Sequence, residues 1–402
     1  MVDIIVAADV NLNAYNGQDD PIYPVWRGLN TLKGYQIYLT DDTPTVLVFR
    51  TTPDGGATWS ATTQISTLAI EPGEAHGVYF SRTTPGITDR IIHITWTQAN
   101  AWVYRSLDTA TDTLGTLRTI LSPGSAQSSH VAIGQARNGD LWAGSNGNEA
   151  QIRDITRRST NGGASWSDPG ATFIDSETGQ DDFFIMPASN TGDDADMWMV
   201  YFDDSLNRLE LRFWDNSAGT FTSALITSTN WAAQEGGVSV RHSDGHLFIP
   251  EHSASSGSHD LRVWEVTDAT TFTQRTNILT AVTGPRRATI TIDENVGALG
   301  RIYVAWLTTT ASNIGAIDWT SSDDGALSWD TIAQFSFDAL STLRTVWAAQ
   351  SVPLGDQGRW MPIWQNQGPE DLETNFDSSL PLGAQAEIPA SVTGQQQKLL
   401  LL

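Results

Sequence analysis

A hairpin signature recurs along this chain at a nearly constant interval, and that interval restricts the fold more than any other feature. Thr52-Pro53-Asp54-Gly55-Gly56-Ala57-Thr58-Trp59, Ser159-Thr160-Asn161-Gly162-Gly163-Ala164-Ser165-Trp166 and Ser322-Asp323-Asp324-Gly325-Ala326-Leu327-Ser328-Trp329 share one pattern. Each reads small hydroxyl, any residue, Asp or Asn, Gly, a small residue, any residue, Ser or Thr, Trp. Weaker hairpins end at Leu114, Phe221 and Phe272, and a faint one spans Asp377 to Leu382. The series Trp59, Leu114, Trp166, Phe221, Phe272, Trp329, Leu382 advances by 55, 52, 55, 51, 57 and 53 residues. A fixed period of this size marks an array of similar units that bury their faces against one another.

The residue types explain the turn. The side chains of Asp54, Asn161 and Asp324 are suited to bond nearby backbone N–H groups and close a tight loop. Gly56 and Gly163 tolerate positive φ there. Trp59, Trp166 and Trp329 are expected to fold back and pack between neighbouring sheets. The hairpin is therefore a structural staple rather than a catalytic element.

Between hairpins the chain reads as strands: Arg90 to Trp96, Met197 to Phe202 and Arg301 to Trp306 are β-branched and aromatic runs bounded by turn residues. Each period predicts four strands, with the hairpin between the third and fourth. Inner strands are expected to begin near Tyr23, Gly77, Val131, Phe183, Gly237, Ala288 and Thr345. Radial repetition of such sheets makes a β-propeller. The expected fold is all-β, a single propeller over residues 1–383 with seven four-stranded blades, six being the alternative. Ile4 to Ala8 is expected to serve as the outer strand of the last blade. Residues 384–402 fall outside the repeat and end Gln-Lys-Leu-Leu-Leu-Leu, an apolar extension expected to dock on a protein partner.

The three full hairpins resemble the Asp box, or BNR repeat, of sialidases and related propellers. The first copy fits the family pattern throughout, the second carries Asn161 for Asp, and the third carries Ala326 for the second Gly. For a sialidase the resemblance implies an arginine triad, a Tyr–Glu nucleophile pair and an Asp acid. Arg27 falls where the family's first-blade arginine would, without the Ile-Pro that follows it there. The family's late tyrosine has no counterpart, since the last tyrosine is Tyr303. The resemblance thus implies the fold without the full sialidase machinery. Some polysaccharide lyases are similar seven-bladed propellers. For such an enzyme His76, His130 and Tyr79 are the candidate base and acid, with Arg286 or Arg287 neutralising a uronate carboxylate.

In a four-stranded propeller, the loops entering the inner strands line one mouth of the central channel, and the Asp-box hairpins lie at the other end. The candidate ligand-binding residues at that mouth are Asp20, Glu74, His76, His130, Asp182, Glu235, Arg286, Arg287 and Arg344, with Gly-Gln-Asp-Asp occurring twice, at 17–20 and 179–182. Such a ring suits a polyhydroxylated, acidic ligand: amides and carboxylates meet hydroxyls, and arginines hold a carboxylate. Two-carboxylate hydrolysis by Asp20 and Asp182 is disfavoured, because residues three blades apart face each other across the channel.

Composition removes other classes. The 402 residues carry 46 acidic against 22 basic side chains, a formal charge of −24, which opposes nucleic acid and anionic membrane as partners. There is no cysteine for a disulfide or thiolate site. No metal constellation or cofactor motif stands out. The sequence shows no signal-peptide pattern and no stretch of 18 apolar residues, so neither secretion by a visible signal nor membrane insertion is expected. The expected function is a glycan-contacting attachment or structural propeller, part of a virion or another extracellular particle, otherwise cytoplasmic. The alternatives are a polysaccharide lyase or other glycan-degrading enzyme, and a purely structural protein.

Overall fold

Runs of Val, Ile, Thr, Tyr and Trp separated by Gly, Asp and Asn turns become antiparallel strands in the computed structural model. It describes residues 3–7, 24–29, 31–40, 44–70, 76–99, 101–122, 131–145, 155–170, 182–189, 191–203, 208–222, 225–226, 237–255, 258–282, 285–309, 315–336, 343–356, 358–360, 362–366, 371–375 and 382–383. Sheet 1 orders Val25–Trp26, Gly34–Leu39, Leu47–Thr52 and Thr63–Gln64. Sheet 2 orders His76–Phe80, Ile91–Gln98, Ala101–Asp108 and Arg118–Leu121, with Thr113–Leu114 also on the third strand. Sheet 3 orders Val131–Gln135, Leu141–Ser145 and Ile155–Ser159. Sheet 4 begins at Asp182–Pro187 and continues through Met197–Asp203 and Arg208–Asp215, and sheet 5 runs Ser239–Val240, Leu247–Ser255, Ser258–Val266. Sheet 6 runs Pro285–Asp293, Arg301–Thr309, Gly315–Ser322 and Ala333–Ser336. In sheet 7, Leu343–Trp347, Ile363–Asn366 and Asp371–Asn375 are joined by Asp3–Ala7, which pairs antiparallel with Asp371–Asn375. Ser81–Thr83 is the one helical turn among the described residues, and none of their helices is long and apolar enough to cross a membrane.

The period-2 alternation of the strands is read out on both faces, because each sheet is packed between two others. Along Arg301–Thr309, Ile302, Val304 and Trp306 join Phe248, Leu261 and Val263 of sheet 5. The intervening Tyr303, Ala305 and Leu307 join Val346, Ala348 and Trp360 on the sheet 7 side. Met199 and Tyr201 likewise meet Ala132 and Trp142 of sheet 3, whereas Trp198, Val200 and Phe202 meet Leu247 and Ile249 of sheet 5. The ring closes through one cluster shared by Val6 and Trp347 of sheet 7, Tyr35 and Ile37 of sheet 1, and Ile94 and Trp96 of sheet 2. This is a β-propeller.

The expectation of seven four-stranded blades is corrected to the alternative of six, with blades of four or five strands. Six sheets have four or five strands, and sheet 3 has three. The period itself is intact there, since Trp166 stands in its usual place. After the hairpin, however, the described return strand is reduced to a single bridge, Arg158 to Ser167, held by two backbone hydrogen bonds of 2.9 Å.

The three hairpins make the same bonds. The first hydroxyl accepts the amide four residues on: Gly56 N to Thr52 Oγ1 at 2.8 Å, Gly163 N to Ser159 Oγ and Ala326 N to Ser322 Oγ at 2.9 Å. The Asp or Asn Oδ1 accepts the amides of Thr58, Ser165 and Ser328 at 2.9, 2.9 and 3.0 Å. The Ser328 hydroxyl and amide hold the Asp324 carboxyl down at about 2. Trp166 packs edge-on to Tyr104 of sheet 2, and Trp329 Nε1 donates to the Thr276 carbonyl beside sheet 5, so each ring reaches the preceding sheet. Thr52 is fully buried and Asp54 only partly. Thr52→Val strands the Gly56 amide in the interior and is expected to cost about 2 kcal/mol in urea unfolding, against about 1 kcal/mol for Asp54→Ala. The reverse order would show that the carboxylate, not the hydroxyl, is the staple.

Inner strands approach most closely around sheet 3, at glycines. A methyl group on Gly77 would stand 2.6 Å from the Val131 carbonyl oxygen, and one on Gly134 would meet the Ile185 carbonyl, with its carbon at 2.8 Å.

Candidate functional site

Antiparallel order fixes which loops share an end. The first and third strands of a sheet run the same way, so the loops leaving inner strands lie at the end that carries the three hairpins, and the loops entering them lie at the opposite mouth. Of the residues expected at that mouth, Asp20, Glu74, His130 and Glu235 lie outside the described residues. Asp182, Arg286 and Arg344 are placed as strand residues, at the first or second position of Asp182–Pro187, Pro285–Asp293 and Leu343–Trp347.

His76 opens its strand opposite Trp96 and is buried, 1% exposed. The Trp96 indole donates to Gln98 at 3.0 Å and Gln98 to Thr67 at 3.3 Å, so the wall beside His76 is polar at its rim. Arg287 sits in a β-bulge: pairing with Arg301–Thr309 slips between Arg286 and Ala288. Its φ is +49°, an uncommon conformation for a side chain of this size, and the residue is only 6% exposed. A bulge inserts one extra residue into the strand and re-aims its side chain. On the long hairpin of sheet 5, His252 Nε2 and His259 Nδ1 are hydrogen-bonded at 2.8 Å.

Tyr79 lies in the packed seam between sheets 2 and 3. Its hydroxyl is 2.8 Å from Thr84 Oγ1, which donates to the Gln135 carbonyl at 2.8 Å, and burial pushes the phenol well above its ordinary range. Among the described residues, no group of three or more His, Asp or Glu is arranged to hold a metal ion.

The hairpin end holds a cluster that the sequence did not single out. Asp356, in the loop leaving the inner strand of sheet 7, accepts from Arg82 Nε at 3.0 Å, Arg90 Nη1 at 3.0 Å, Arg90 Nη2 at 2.8 Å and the Leu29 amide at 3.1 Å. Burial opposes its charge, but the Arg90 bond, the Leu29 amide and the two guanidinium charges outweigh it and hold the carboxyl below its ordinary range. From sheet 6, Asn295 donates to the Pro353 and Asp356 carbonyls at 3.1 and 3.2 Å. From sheet 5, His242 reaches the Thr83 backbone and the Arg82 charge. Burial first, and then Arg82, push this imidazole down to about 4, against the opposing pull of Thr83 and Asp356. Loops of sheets 1, 2, 5, 6 and 7 therefore meet at the axis. The signal available in the sequence was the set of residues following each inner strand, aligned as the preceding ones were.

No family model and no curated protein sequence matches the chain. Solved structures similar in fold include a polysaccharide lyase, a PL25 ulvan lyase bound to -[GlcA(1-4)Rha3S]-, with TM-score 0.59 and 9% identity over 95% of this chain and 97% of that one. A lectin from Burkholderia pseudomallei matches with TM-score 0.58 and 12% identity over 92% and 99% of the two chains. The hydrazine synthase of Kuenenia stuttgartiensis matches with TM-score 0.54 and 6% identity over 89% and 96%. At these identities the likeness is one of fold.

Proposed function

We propose that this protein contacts an acidic glycan at the channel mouth opposite the Asp boxes. The observation that carries the reading is Arg287, a cation held in a strained bulge at the start of an inner strand. Strain of this kind persists only where the surrounding structure imposes it, and it concentrates at ligand sites. A guanidinium there suits a uronate carboxylate, and the neighbouring Arg286 adds a second cation to the same strand start. The lyase and lectin folds that resemble this one bind or act on sugars in their own right, which supports the ligand class. Within this reading the protein is an attachment propeller, and residues 384–402 join it to a protein partner on a virion or similar particle.

A second reading is favoured by the buried His76 beside the mouth: an imidazole there suits proton removal next to a neutralised carboxylate, as a lyase needs. One experiment separates the two. The protein is mixed with acidic polysaccharides, binding is measured by calorimetry, and unsaturated product is followed by ultraviolet absorbance. Binding without absorbance supports attachment, and absorbance growth that His76→Ala abolishes supports the lyase. Arg287→Ala is expected to weaken binding ~30-fold, the loss of about 2 kcal/mol typical of a central anchor. Unchanged affinity in Arg287→Ala would remove the observation on which the reading stands.

A further inference from the structure

We propose that the Asp-box end of the channel is a second binding site, formed by Arg82, Arg90 and His242, for an oxyanion that also carries a hydroxyl group. It lies at the opposite end of the molecule from the mouth discussed above and does not depend on that reading.

Charge is the first argument. Two guanidinium groups share the single carboxylate of Asp356, so the cluster keeps a positive charge within a chain whose formal charge is −24. Glu294 stands beside His242 and spends its carboxyl on the backbone: its Oε1 accepts the Ser243 amide at 3.0 Å and it also accepts the His242 amide, while the charges that act on the His242 imidazole are those of Arg82 and Asp356. Asp244, the next carboxylate on the sheet 5 loop, is engaged by Arg241 at 2.8 Å.

Donor supply is the second. Two arginines carry ten N–H donors. Among the described residues they make five hydrogen bonds: three to Asp356, one from Arg90 to the Arg27 carbonyl at 2.5 Å and one from Arg82 to the Ile87 carbonyl at 3.2 Å. Both side chains keep partial access to solvent, 15% and 14% exposed.

The third is an unmet demand. His242 Nε2 is buried with no hydrogen-bond partner among the described residues. Buried polar atoms of native proteins are nearly always satisfied by protein, water or ligand. An imidazole kept neutral by burial and by the adjacent Arg82 needs a donor at its bare nitrogen, and guanidinium groups need acceptors. Hydrogenphosphate offers both, and so does a carboxylate with a neighbouring hydroxyl, as in a uronic acid.

The test is a titration of the His242 imidazole by nuclear magnetic resonance in the whole protein. The signal is assigned among the seven histidines by its loss in His242→Gln. Inorganic phosphate and glucuronate are added in separate arms, with chloride at equal ionic strength as control. A bound anion offsets the Arg82 charge, so the His242 pKa is expected to rise by roughly one unit from its low starting value, and Arg82→Gln is expected to remove the response. A response to phosphate alone identifies a free inorganic anion as ligand, and a response to glucuronate alone identifies a sugar acid. Equilibrium dialysis of labelled ligand against the unmodified protein reads the same site without a variant, should Arg82→Gln fail to fold. An unmoved His242 titration in both arms, or no saturable binding by dialysis, overturns the proposal.

Discussion

Asp356→Ala is expected to destabilise the protein by about 3–5 kcal/mol, because it leaves Arg82 and Arg90, two arginines of one loop of sheet 2, without the carboxylate they share. The carboxylate is 6% exposed and the guanidinium groups only slightly more, so water replaces little of the lost interaction. The Leu29 amide loses its acceptor in the same step. Leu29 itself has φ +60°, so that loop is held open in a conformation that leucine rarely takes unless something fixes it. Asp356→Asn, which keeps an acceptor oxygen but not the charge, is expected to cost less than the alanine variant. Equilibrium urea unfolding of the three proteins checks the order. The same contact sets a pH dependence. The folded pKa of Asp356 lies below its unfolded value, so its contribution is complete above the ordinary carboxylate range and is lost as pH falls through the folded pKa. The stability gap between wild type and Asp356→Ala is therefore expected to narrow in acid. A gap constant with pH, or a cost under 1 kcal/mol, would show that the arginines find other partners.

Gly134→Ala is expected to cost about 3 kcal/mol, a large effect for one methyl group. The obstacle is backbone: the new carbon would press on the Ile185 carbonyl oxygen, with the carbonyl carbon at 2.8 Å and Ile185 Cγ2 at 2.9 Å. A flexible side chain could turn aside, but a carbonyl moves only with its strand, and that strand is paired over its whole length with Met197–Asp203. Overpacking of this kind costs 1–3 kcal/mol or more. Trimming the side chain leaves the carbonyl in place, so Ile185→Ala is expected not to rescue Gly134→Ala. Recovery in the double variant, measured by unfolding, would place the conflict in the Ile185 side chain instead.

What the sequence made legible was local. The three hairpin turns close within eight residues, so their hydroxyl, carboxylate and glycine pattern could be read directly as hydrogen bonds. The strand alternation was equally open, since Ile302, Val304 and Trp306 against Tyr303, Ala305 and Leu307 needs only period two to assign two faces. Sheet 3 was not legible as a three-stranded sheet, because Trp166 and the spacing around it are those of a complete repeat. At the mouth, the entry position of Arg287 followed from the repeat, but its bulge did not, since it depends on how Pro285–Asp293 registers against Arg301–Thr309. Tyr79 looked available at the start of a strand and is instead spent on Thr84 across a seam. The axial cluster was hidden for a simpler reason: Arg82 and Asp356 are separated by 274 residues, and no local pattern reports such a meeting.

The meeting of five loops around Asp356 bears on how the ring holds together. The sheets otherwise adhere neighbour to neighbour through apolar seams, and a wheel tied only in that way can open wherever one seam gives. His242 of sheet 5 against the Thr83 backbone of sheet 2, and Asp356 of sheet 7 against Arg82 and Arg90 of sheet 2, are ties between sheets that are not neighbours. Such spokes bypass the seams, so parting any one of them also strains contacts on the far side of the wheel.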